Sequence, residues 1–358
     1  MHDPAFPVLF AALQSSSTVR GKTLWIADEQ ALDIVSTLAG LPDCLVISNR
    51  VDVVRVAQAA GMDAKFSDFD FSALPDGSVA RIVYRLSKEK PVVHHIINAA
   101  TRLLAPGGEL LFAGFKNEGT KTYFEKARLL FGNGEWQKNS TVYLARHEQP
   151  PKAVNAEPLD DQHYASVRLL ETDDEAFYSK PGIFGWNKID NGSYFLAAHL
   201  PDFLALFETP PESLLDLGCG YGYLTVQTHD WPLARRVATD NNAAAVLAMV
   251  KTAEHYGLQV EVIADDCGST LQENFDVILC NPPFHQGFRV DDRLTLKFLQ
   301  QTQRLLARDG AALFVVNAFI PLEQAAQPYF RQIKTLVHNG SFKLVVLQQP
   351  GGVASKMK

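Results

Sequence analysis

Short apolar segments alternate with longer amphipathic segments throughout the second half of the chain. The segments predicted as strands are 213–217, 237–240, 260–264, 275–280 and 312–317. Apolar residues at helical spacing mark 241–256 and about 292–306 as helices, and Gly310 predicts a break before the last strand. Strands that alternate with helices at this spacing are typical of a doubly wound α/β sheet.

The first half carries a second copy of this pattern. Arg102–Phe112 is identical to Arg304–Phe314 at seven of eleven positions. Upstream, the apolar segments 23–27 and 44–48 stand where a first and a second strand belong. A length of 358 residues also exceeds what one hydrophobic core usually organises. We therefore predict an α/β protein with two tandem Rossmann-like domains.

The join between the two domains is marked by prolines and acidic residues. Pro150, Pro151 and Pro158 lie in a polar stretch of the kind that connects domains. We predict a first domain at 1–150, a linker and lead-in at 151–177, and a catalytic domain at 178–358.

In the second copy, a glycine-rich turn follows the first strand of the sheet. Its glycines are Gly218, Gly220 and Gly222, and Asp216 precedes them. Glycine admits positive φ and lets a ligand approach the main chain. The third glycine comes one residue too early for a dinucleotide fingerprint, and Asp216 suits a cationic amine or sulfonium better than a pyrophosphate. The alternative is an ordinary tight turn.

Two acidic positions follow the second and third strands. Asp240 ends the second strand, where a carboxylate can accept hydrogen bonds from both ribose hydroxyls. Asp266, after the third strand, is the preferred acceptor for an adenine amine, with a solvated helix cap as the alternative. Ligands bind at the carboxyl ends of the strands in such sheets, which is where both acids lie.

The most specific motif is Asn281-Pro282-Pro283-Phe284, directly after the fourth strand. The two prolines stiffen the loop and remove backbone donors. The Asn281 amide oxygen and the Pro282 carbonyl then accept the two hydrogens of a planar amino group, and Phe284 stacks on the ring that carries it. Because such an amine is a poor nucleophile, holding it in line with a methyl donor is the main catalytic requirement.

The first copy lacks these ligand-binding residues. Asp28-Glu29-Gln30 replaces the glycines, Asn49 replaces the acid, and Arg85-Leu86-Ser87 stands in place of the Asn-Pro-Pro motif. The first domain therefore keeps the residues that form the fold and is predicted to be degenerate.

Charge divides unevenly between the parts of the chain. The formal net charge is −7, yet the segment from Arg81 to Arg146 has eleven Lys and Arg against five Glu. A net +6 in this segment is a candidate footprint for a polyanion, and solvated helix faces are the alternative. The candidate RNA-binding residues are Lys116, Lys121, Lys126, Arg128 and Lys138.

Composition favours a protein of the cytoplasm. The four cysteines show no metal-ligand spacing, which indicates reduced thiols and no metal site. The sequence has neither a cationic signal peptide start nor an apolar run of about 20 residues that could span a bilayer. We expect a cytoplasmic protein without membrane partners.

The motifs together resemble class I methyltransferases that modify planar amino groups. Among these, the chain is most similar to the bacterial ribosomal RNA guanine-N2 methyltransferases. Those proteins have two tandem methyltransferase-like domains, of which the first is degenerate. The residues that carry the resemblance are the glycine loop, Asp240, Asn281 to His285, Phe184-Gly185, Asp190 to Ser193 and Asn317-Ala318-Phe319. At Gly185-Trp186-Asn187-Lys188 the chain departs from the Ser-Arg-Asp-Gly that is common in this family, and these four residues are given no role.

The resemblance implies transfer of a methyl group from S-adenosyl-L-methionine to the N2 amine of a guanine in ribosomal RNA or the small ribosomal subunit. Asp216, the three glycines, Asp240, Asp266 and Asn281 would hold the cofactor. Asn281, Pro282 and Phe284 would orient the base, which must leave its stack. His285 would contact the guanine edge or help remove the proton, with a surface histidine as the alternative.

Several other functions stay open from the sequence. A large-subunit guanine-N2 methyltransferase is the closest, and an amine methyltransferase of adenine or of a protein glutamine shares the Asn-Pro-Pro logic. Phe284 counts against the last two, which usually carry Tyr there. A nicotinamide oxidoreductase is disfavoured by the glycine spacing. A non-catalytic RNA-binding assembly factor predicts loss of Asn281 or Asp240, and both are present.

Overall fold

The chain divides into two compact units, Met1–Ser166 and Val167–Lys358. The division falls inside 151–177, the segment assigned above to the connection between domains. The structure is a computed structural model. It describes residues 3–15, 21–152, 154–172, 175–283, 285–286, 289–290 and 292–351.

The first unit contains four helices and seven strands within the described residues. The helices are α1 (Ala5–Ser15), α2 (Val51–Ala59), α3 (Lys90–Leu103) and α4 (Thr120–Phe131). The strands are β1 (Thr23–Ala27), β2 (Cys44–Ser48), β3 (Asp63–Phe66), β4 (Val79–Arg85), β5 (Leu104–Phe115), β6 (Glu135–Asn139) and β7 (Val142–Glu148). The strands predicted at 23–27 and 44–48 are confirmed.

The second unit has the longer list of elements, counted over the described residues. Its helices are α5 (Asn191–Ala198), α6 (Leu200–Leu204), α7 (Tyr223–Val226), α8 (Ala243–Tyr256), α9 (Asp292–Leu305) and α10 (Leu322–Ala326). Its first six strands are β8 (Arg168–Glu171), β9 (Ala176–Ser179), β10 (Ser213–Leu217), β11 (Arg235–Asp240), β12 (Glu261–Ala264) and β13 (Phe275–Cys280). The others are β14 (His285–Gln286), β15 (Arg289–Val290), β16 (Leu306–Asn317), β17 (Phe330–His338) and β18 (Phe342–Pro350).

Each unit is built on one seven-stranded sheet, and the strand order is the same in both. It is β3-β2-β1-β4-β5-β7-β6 in the first unit and β12-β11-β10-β13-β16-β18-β17 in the second. The first five strands of each order pair in parallel, and the last two pair antiparallel. The shared topology confirms two tandem α/β domains of one kind.

The central strands are buried because helices cover both faces of a parallel sheet. All five residues of β1 and of β2 are buried, which explains why these strands appear in the sequence as unbroken apolar runs. In β10 the same burial includes a carboxylate, Asp216, between leucines. Acidic residues are rarely buried, so Asp216 indicates that β10 carries the candidate site at its carboxyl end.

The fifth strand of the second sheet begins earlier than the sequence predicts. Gly310 does not end a segment before a strand at 312, because β16 already starts at Leu306. A Cβ on Gly310 would lie 2.7 Å from the carbonyl oxygen of Asp276, and one on Gly108 would lie 2.9 Å from that of Ala80. Both glycines are therefore kept in the repeated segment by close approach to the neighbouring strand.

The segment after β7 packs on α3 of its own unit. Asn98 exchanges two hydrogen bonds of 2.8 Å with the backbone of Leu159. Tyr164 is fully buried, and its hydroxyl donates to Asp68 at 2.6 Å. Residues 159–164 thus belong to the first unit, which places the connection between units later than Pro158.

Over the described ranges, no helix combines the length and apolar character that crossing a membrane requires.

Candidate active site

Three predicted motifs meet at one edge of the second sheet. The neighbouring strands β11, β10 and β13 are parallel, so their carboxyl ends lie side by side. Asp240 ends β11, the glycine turn at Gly218 follows β10, and Asn281 follows β13. The fold therefore brings to one edge residues that are more than sixty positions apart in sequence.

The glycine turn has the backbone conformation that its sequence predicts. Gly218, Gly220 and Gly222 have φ values of 83°, 57° and 93°, which other residues adopt only with strain. The amide of Gly218 donates to the Thr239 carbonyl at 2.9 Å, which holds the turn against β11. A Cβ on Gly220 would have no neighbour within 4 Å, so the turn is open at its centre.

Asp240 ties the glycine turn to the start of the next helix. Its Oδ2 accepts from the Gly220 amide at 3.0 Å, and its Oδ1 accepts from the Asn242 amide at 2.8 Å. Asn242 in turn caps α8 by accepting from Ala244. A carboxylate oxygen has two acceptor sites, so this arrangement fixes Asp240 while keeping its capacity to bind hydroxyl groups.

Asp216 lies beneath the turn and is 1% exposed. Its Oδ2 accepts from the Thr225 hydroxyl at 2.6 Å. Burial raises the pKa of Asp216 to about 7, although the hydrogen bonds from Thr225 oppose that shift. A cation close to Asp216 would therefore lower this pKa and favour the charged carboxylate.

The structure separates the two acids that follow β12. Asp265 is fully buried and accepts from Ser269 at 2.9 Å and from the Thr270 amide at 2.8 Å. It therefore organises its own turn. Asp266 is partly exposed and forms an ion pair with Lys297 of α9. Of these two acids, Asp266 has the more accessible carboxylate, and its role toward adenine remains a prediction.

Asn281 is held by two side chains that sequence reasoning gave no role. Its Nδ2 donates to Asp190 Oδ2 and to Ser193 Oγ, both at 2.8 Å. An ionised carboxylate only accepts hydrogen bonds, so the –NH2 group must face Asp190. The amide oxygen Oδ1 then points away from this pair, and no donor reaches it within the described part of the chain.

Local sequence explains why Asp190 stands there. Asp190 is the N-cap of α5, and its Oδ2 accepts from the Ser193 amide at 2.9 Å. Gly192 leaves room for this cluster, because a Cβ there would lie 3.0 Å from Asp190 Oδ2 and 3.6 Å from Asn281 Nδ2. An Asp followed three residues later by Ser, just before an apolar run, was a detectable cap signal.

The remaining residues of the Asn281 loop are described only in part. Pro282 is buried and Pro283 is exposed. Phe284 lies outside the described residues. His285 is described as the first backbone position of β14, which pairs with β15 through His285 and Val290. The predicted roles of Phe284 and His285 therefore remain predictions.

The corresponding edge of the first sheet is closed by an ion pair cluster. Arg85, at the end of β4, is 2% exposed and donates to both carboxylate oxygens of Glu118, each at 2.8 Å. Its Nε donates to Asp3 at 2.8 Å. Asp28, where the glycines would be, caps a short helical turn instead. Charged side chains of the unit thus satisfy one another where a ligand would bind.

The five candidate RNA-binding residues have different surroundings. Lys126 contacts the His94 Nε2 at 2.9 Å, and Arg128 pairs with Glu125 at 2.7 Å. Lys116 is exposed in a short helical turn before α4. Lys121 and Lys138 both lie over aromatic rings. Of the five, Lys121 and Lys138 lie together, because both are over the ring of Tyr143.

Within the part of the chain that the structure describes, no three His, Cys, Asp or Glu side chains form a group that could hold a metal ion.

Comparison with known proteins identifies the family. The model of the methyltransferase small domain matches residues 174–346. The ribosomal RNA small subunit methyltransferase C of Pseudomonas paraeruginosa is 30% identical over 306 residues, which cover 83% of this chain and 88% of that protein. This chain belongs to the ribosomal RNA small subunit methyltransferase C family. The resemblance inferred from the sequence is confirmed.

Other members and a solved structure agree with this assignment. The ribosomal RNA small subunit methyltransferase C of Aeromonas hydrophila is 29% identical over 329 residues, covering 90% of this chain and 93% of that protein. The solved structure is the T. thermophilus 16S rRNA N2 G1207 methyltransferase (RsmC) in complex with AdoMet and guanosine. It is 25% identical, with a TM-score of 0.81 over 97% of this chain and 92% of that one.

Proposed function

We propose that this chain transfers a methyl group from S-adenosyl-L-methionine to the exocyclic N2 amine of a guanine in small-subunit ribosomal RNA. The observation that carries the proposal is the orientation of Asn281, whose Nδ2 is occupied by Asp190 and Ser193. Its amide oxygen is thereby presented as an acceptor, which is what a planar amine requires. The family relatives are named for methylation of the small subunit.

The residues at the sheet edge fit S-adenosyl-L-methionine. The turn is open at Gly220, where a side chain would find no neighbour within 4 Å, so a ligand can approach the main chain there. In this proposal Asp240 would accept from the ribose hydroxyls and Asp266 from the adenine amine. Asp216 supplies the negative charge that a cationic ligand favours. When bound, the cofactor supplies an electrophilic methyl group on a sulfonium.

Asn281 and Pro282 would perform the positioning that this reaction needs. The Asn281 Oδ1 and the Pro282 carbonyl accept the two hydrogens of the guanine amine, which aims the nitrogen lone pair at the methyl carbon. As the N–C bond forms and the C–S bond breaks, the amine becomes cationic and must release a proton. His285 is our candidate for receiving it, and Phe284 for stacking on the base.

Alignment of the reactants is the main catalytic contribution of these residues. A well-oriented pair avoids most of the entropic cost of a bimolecular encounter, and misplacement by about 1 Å can cost about 100-fold in rate. The base must also leave its stack before an amine in a paired helix can enter the site. The positively charged stretch of the first unit is our candidate for recruiting the RNA.

The proposal is tested by mapping methylated nucleotides in ribosomal RNA from a strain that lacks this gene. We expect one N2-methylguanosine to disappear from small-subunit RNA and to return when the gene is supplied. Loss of a methylated guanine from large-subunit RNA alone, or of a methylated adenine, would contradict the assignment.

A further inference from the structure

The outer edge of the first sheet carries an exposed tryptophan. Trp136 lies in β6, whose five residues are all exposed, and 46% of its own surface is accessible. A tryptophan contributes more apolar area than almost any other side chain, and the face of its ring can stack on another ring. The closed ligand edge of this unit does not use it.

Two lysines cluster around this ring. The Nζ of Lys121, from α4, lies 4.6 Å from the Trp136 ring centre and 5.1 Å from that of Tyr143. The Nζ of Lys138 lies 5.9 Å from the Tyr143 ring centre. We call Trp136, Tyr143, Lys121 and Lys138 the edge cluster.

The two ammonium groups of the edge cluster have no carboxylate partner among the described residues. Glu125, one helical turn after Lys121 on α4, pairs with Arg128 at 2.7 Å instead. Lysine charges that are held on rings and not neutralised remain available to an anion. Nearly half of the Trp136 surface stays exposed with Lys121 in place, so ring surface for a second contact remains.

We propose that the edge cluster binds a single-stranded segment of the RNA substrate, with a base stacked on Trp136 and its flanking phosphates on Lys121 and Lys138. Aromatic rings bordered by cations are how proteins hold single strands without reading sequence. The cluster lies in the stretch from Arg81 to Arg146 that carries +6 in a chain of net −7. This inference rests on the proposed function, because it takes ribosomal RNA as the substrate.

A second copy of the chain is the other occupant to consider for an exposed edge strand. Strands that pair edge to edge are usually uncharged, and a lysine on an edge strand opposes such pairing. In β6 both Glu135 and Lys138 are charged and exposed. The charges on this strand therefore oppose pairing with a second copy.

The test measures binding of the full chain to a fluorescein-labelled single-stranded oligouridylate by anisotropy, over a range of salt concentrations. Trp136→Ala should weaken binding about tenfold at every salt concentration, because stacking releases no counterions. The double variant Lys121→Gln and Lys138→Gln should make the negative slope of log affinity against log salt shallower by about 1.4, since each phosphate contact contributes about −0.7.

Two controls separate stacking from general damage. Trp136→Phe should retain most of the affinity, and Leu129→Ala, at a residue of α4 that is 66% exposed, should leave it unchanged. In methyl transfer, Trp136→Ala should raise the KM for ribosomal RNA and leave kcat unchanged.

Two results would overturn the inference. One is wild-type affinity and slope in the Trp136→Ala and double-lysine variants. The other is a sedimentation coefficient of the RNA-free Trp136→Ala variant that differs from wild type while RNA affinity is unchanged. That result would show that the edge cluster is a contact between copies of the chain. Absence of methyl transfer by the wild-type chain would instead count against the proposed function, whatever the binding shows.

Discussion

At the scale of single residues, we predict that Asn281 and Asp240 perform separable tasks. Asn281 has its amide nitrogen bound by Asp190 and Ser193, whereas Asp240 braces the glycine turn through the amide of Gly220. Chemistry and cofactor binding should therefore respond to different substitutions.

We expect Asn281→Ala to reduce turnover by about 10²- to 10³-fold, the usual effect of removing one oriented group from a transition state. Its affinity for S-adenosylhomocysteine, measured by calorimetry, should stay within a few-fold of wild type. Asp240→Ala should instead weaken that affinity by about 10- to 100-fold, because charge-assisted hydrogen bonds are lost. Wild-type turnover in the Asn281→Ala variant would contradict the assignment of Asn281 to the chemical step.

Asp190 is predicted to be a positioning residue that acts through Asn281. Asp190→Ala should lower kcat and also destabilise the protein by about 0.5–2 kcal/mol, since the cap of α5 is lost. Asp190→Asn keeps an acceptor and a good cap, so it should restore stability and most of the turnover. If the Asn variant regains stability but stays as inactive as the Ala variant, orientation by hydrogen bonding is not its role.

The buried Asp216 predicts a dependence of stability on pH. Its folded pKa of about 7 is above the ordinary aspartate value of 3.8, so the folded state favours the neutral acid. Stability from this group is complete below about pH 4 and is lost as pH rises to about 7, by up to about 4 kcal/mol at 1.36 kcal/mol per unit. Asp216→Asn should flatten that part of the denaturation profile. Parallel profiles for the two proteins would show that the carboxylate is not destabilised by burial.

At the scale of elements, the same order of seven strands gives an open edge in the second unit and a closed edge in the first. In the first unit Arg85 occupies the position that corresponds to Asn281, and it binds Glu118 and Asp3. In the second unit Asn281 stands there and is held through its nitrogen. One fold thus yields a binding edge or a structural edge, depending on the side chains at its strand ends.

The closed edge predicts a single cofactor site per chain. Calorimetry of the full protein should give one S-adenosylhomocysteine bound, and Asp240→Ala should weaken binding at that site without revealing another. Two equivalent sites would mean that the first unit was wrongly taken as degenerate.

Arg85 should in turn be important for folding of the first unit. Arg85→Ala leaves Glu118, with 10% of its side chain exposed, without its cation. Loss of one partner of a buried pair costs about 3–5 kcal/mol. The first unit should therefore unfold at lower denaturant in this variant, whereas cofactor affinity should be unchanged. Unaltered stability would show that the pair adds nothing to the fold.

At the scale of the whole molecule, the sequence was sufficient to predict the fold and to place the glycine turn, Asp240 and Asn281 at one edge of the second sheet. Apolar runs gave β1, β2, β10 and β13 to the residue, because buried parallel strands leave little ambiguity. The start of β16 was missed, since Gly310 acts there through a neighbouring strand's carbonyl. Asp190 was also missed as a partner of Asn281, because a contact across 91 positions has no local signature.

The central claim is that Asn281 presents its oxygen to a guanine amine for methylation. The most direct measurement incubates small ribosomal subunits from a strain lacking the gene with labelled S-adenosyl-L-methionine and the purified chain. The RNA is then digested to nucleosides and separated. The account predicts label in N2-methylguanosine alone with the wild-type chain, and almost none with Asn281→Ala. Label in another nucleoside, or equal label with both proteins, would contradict it.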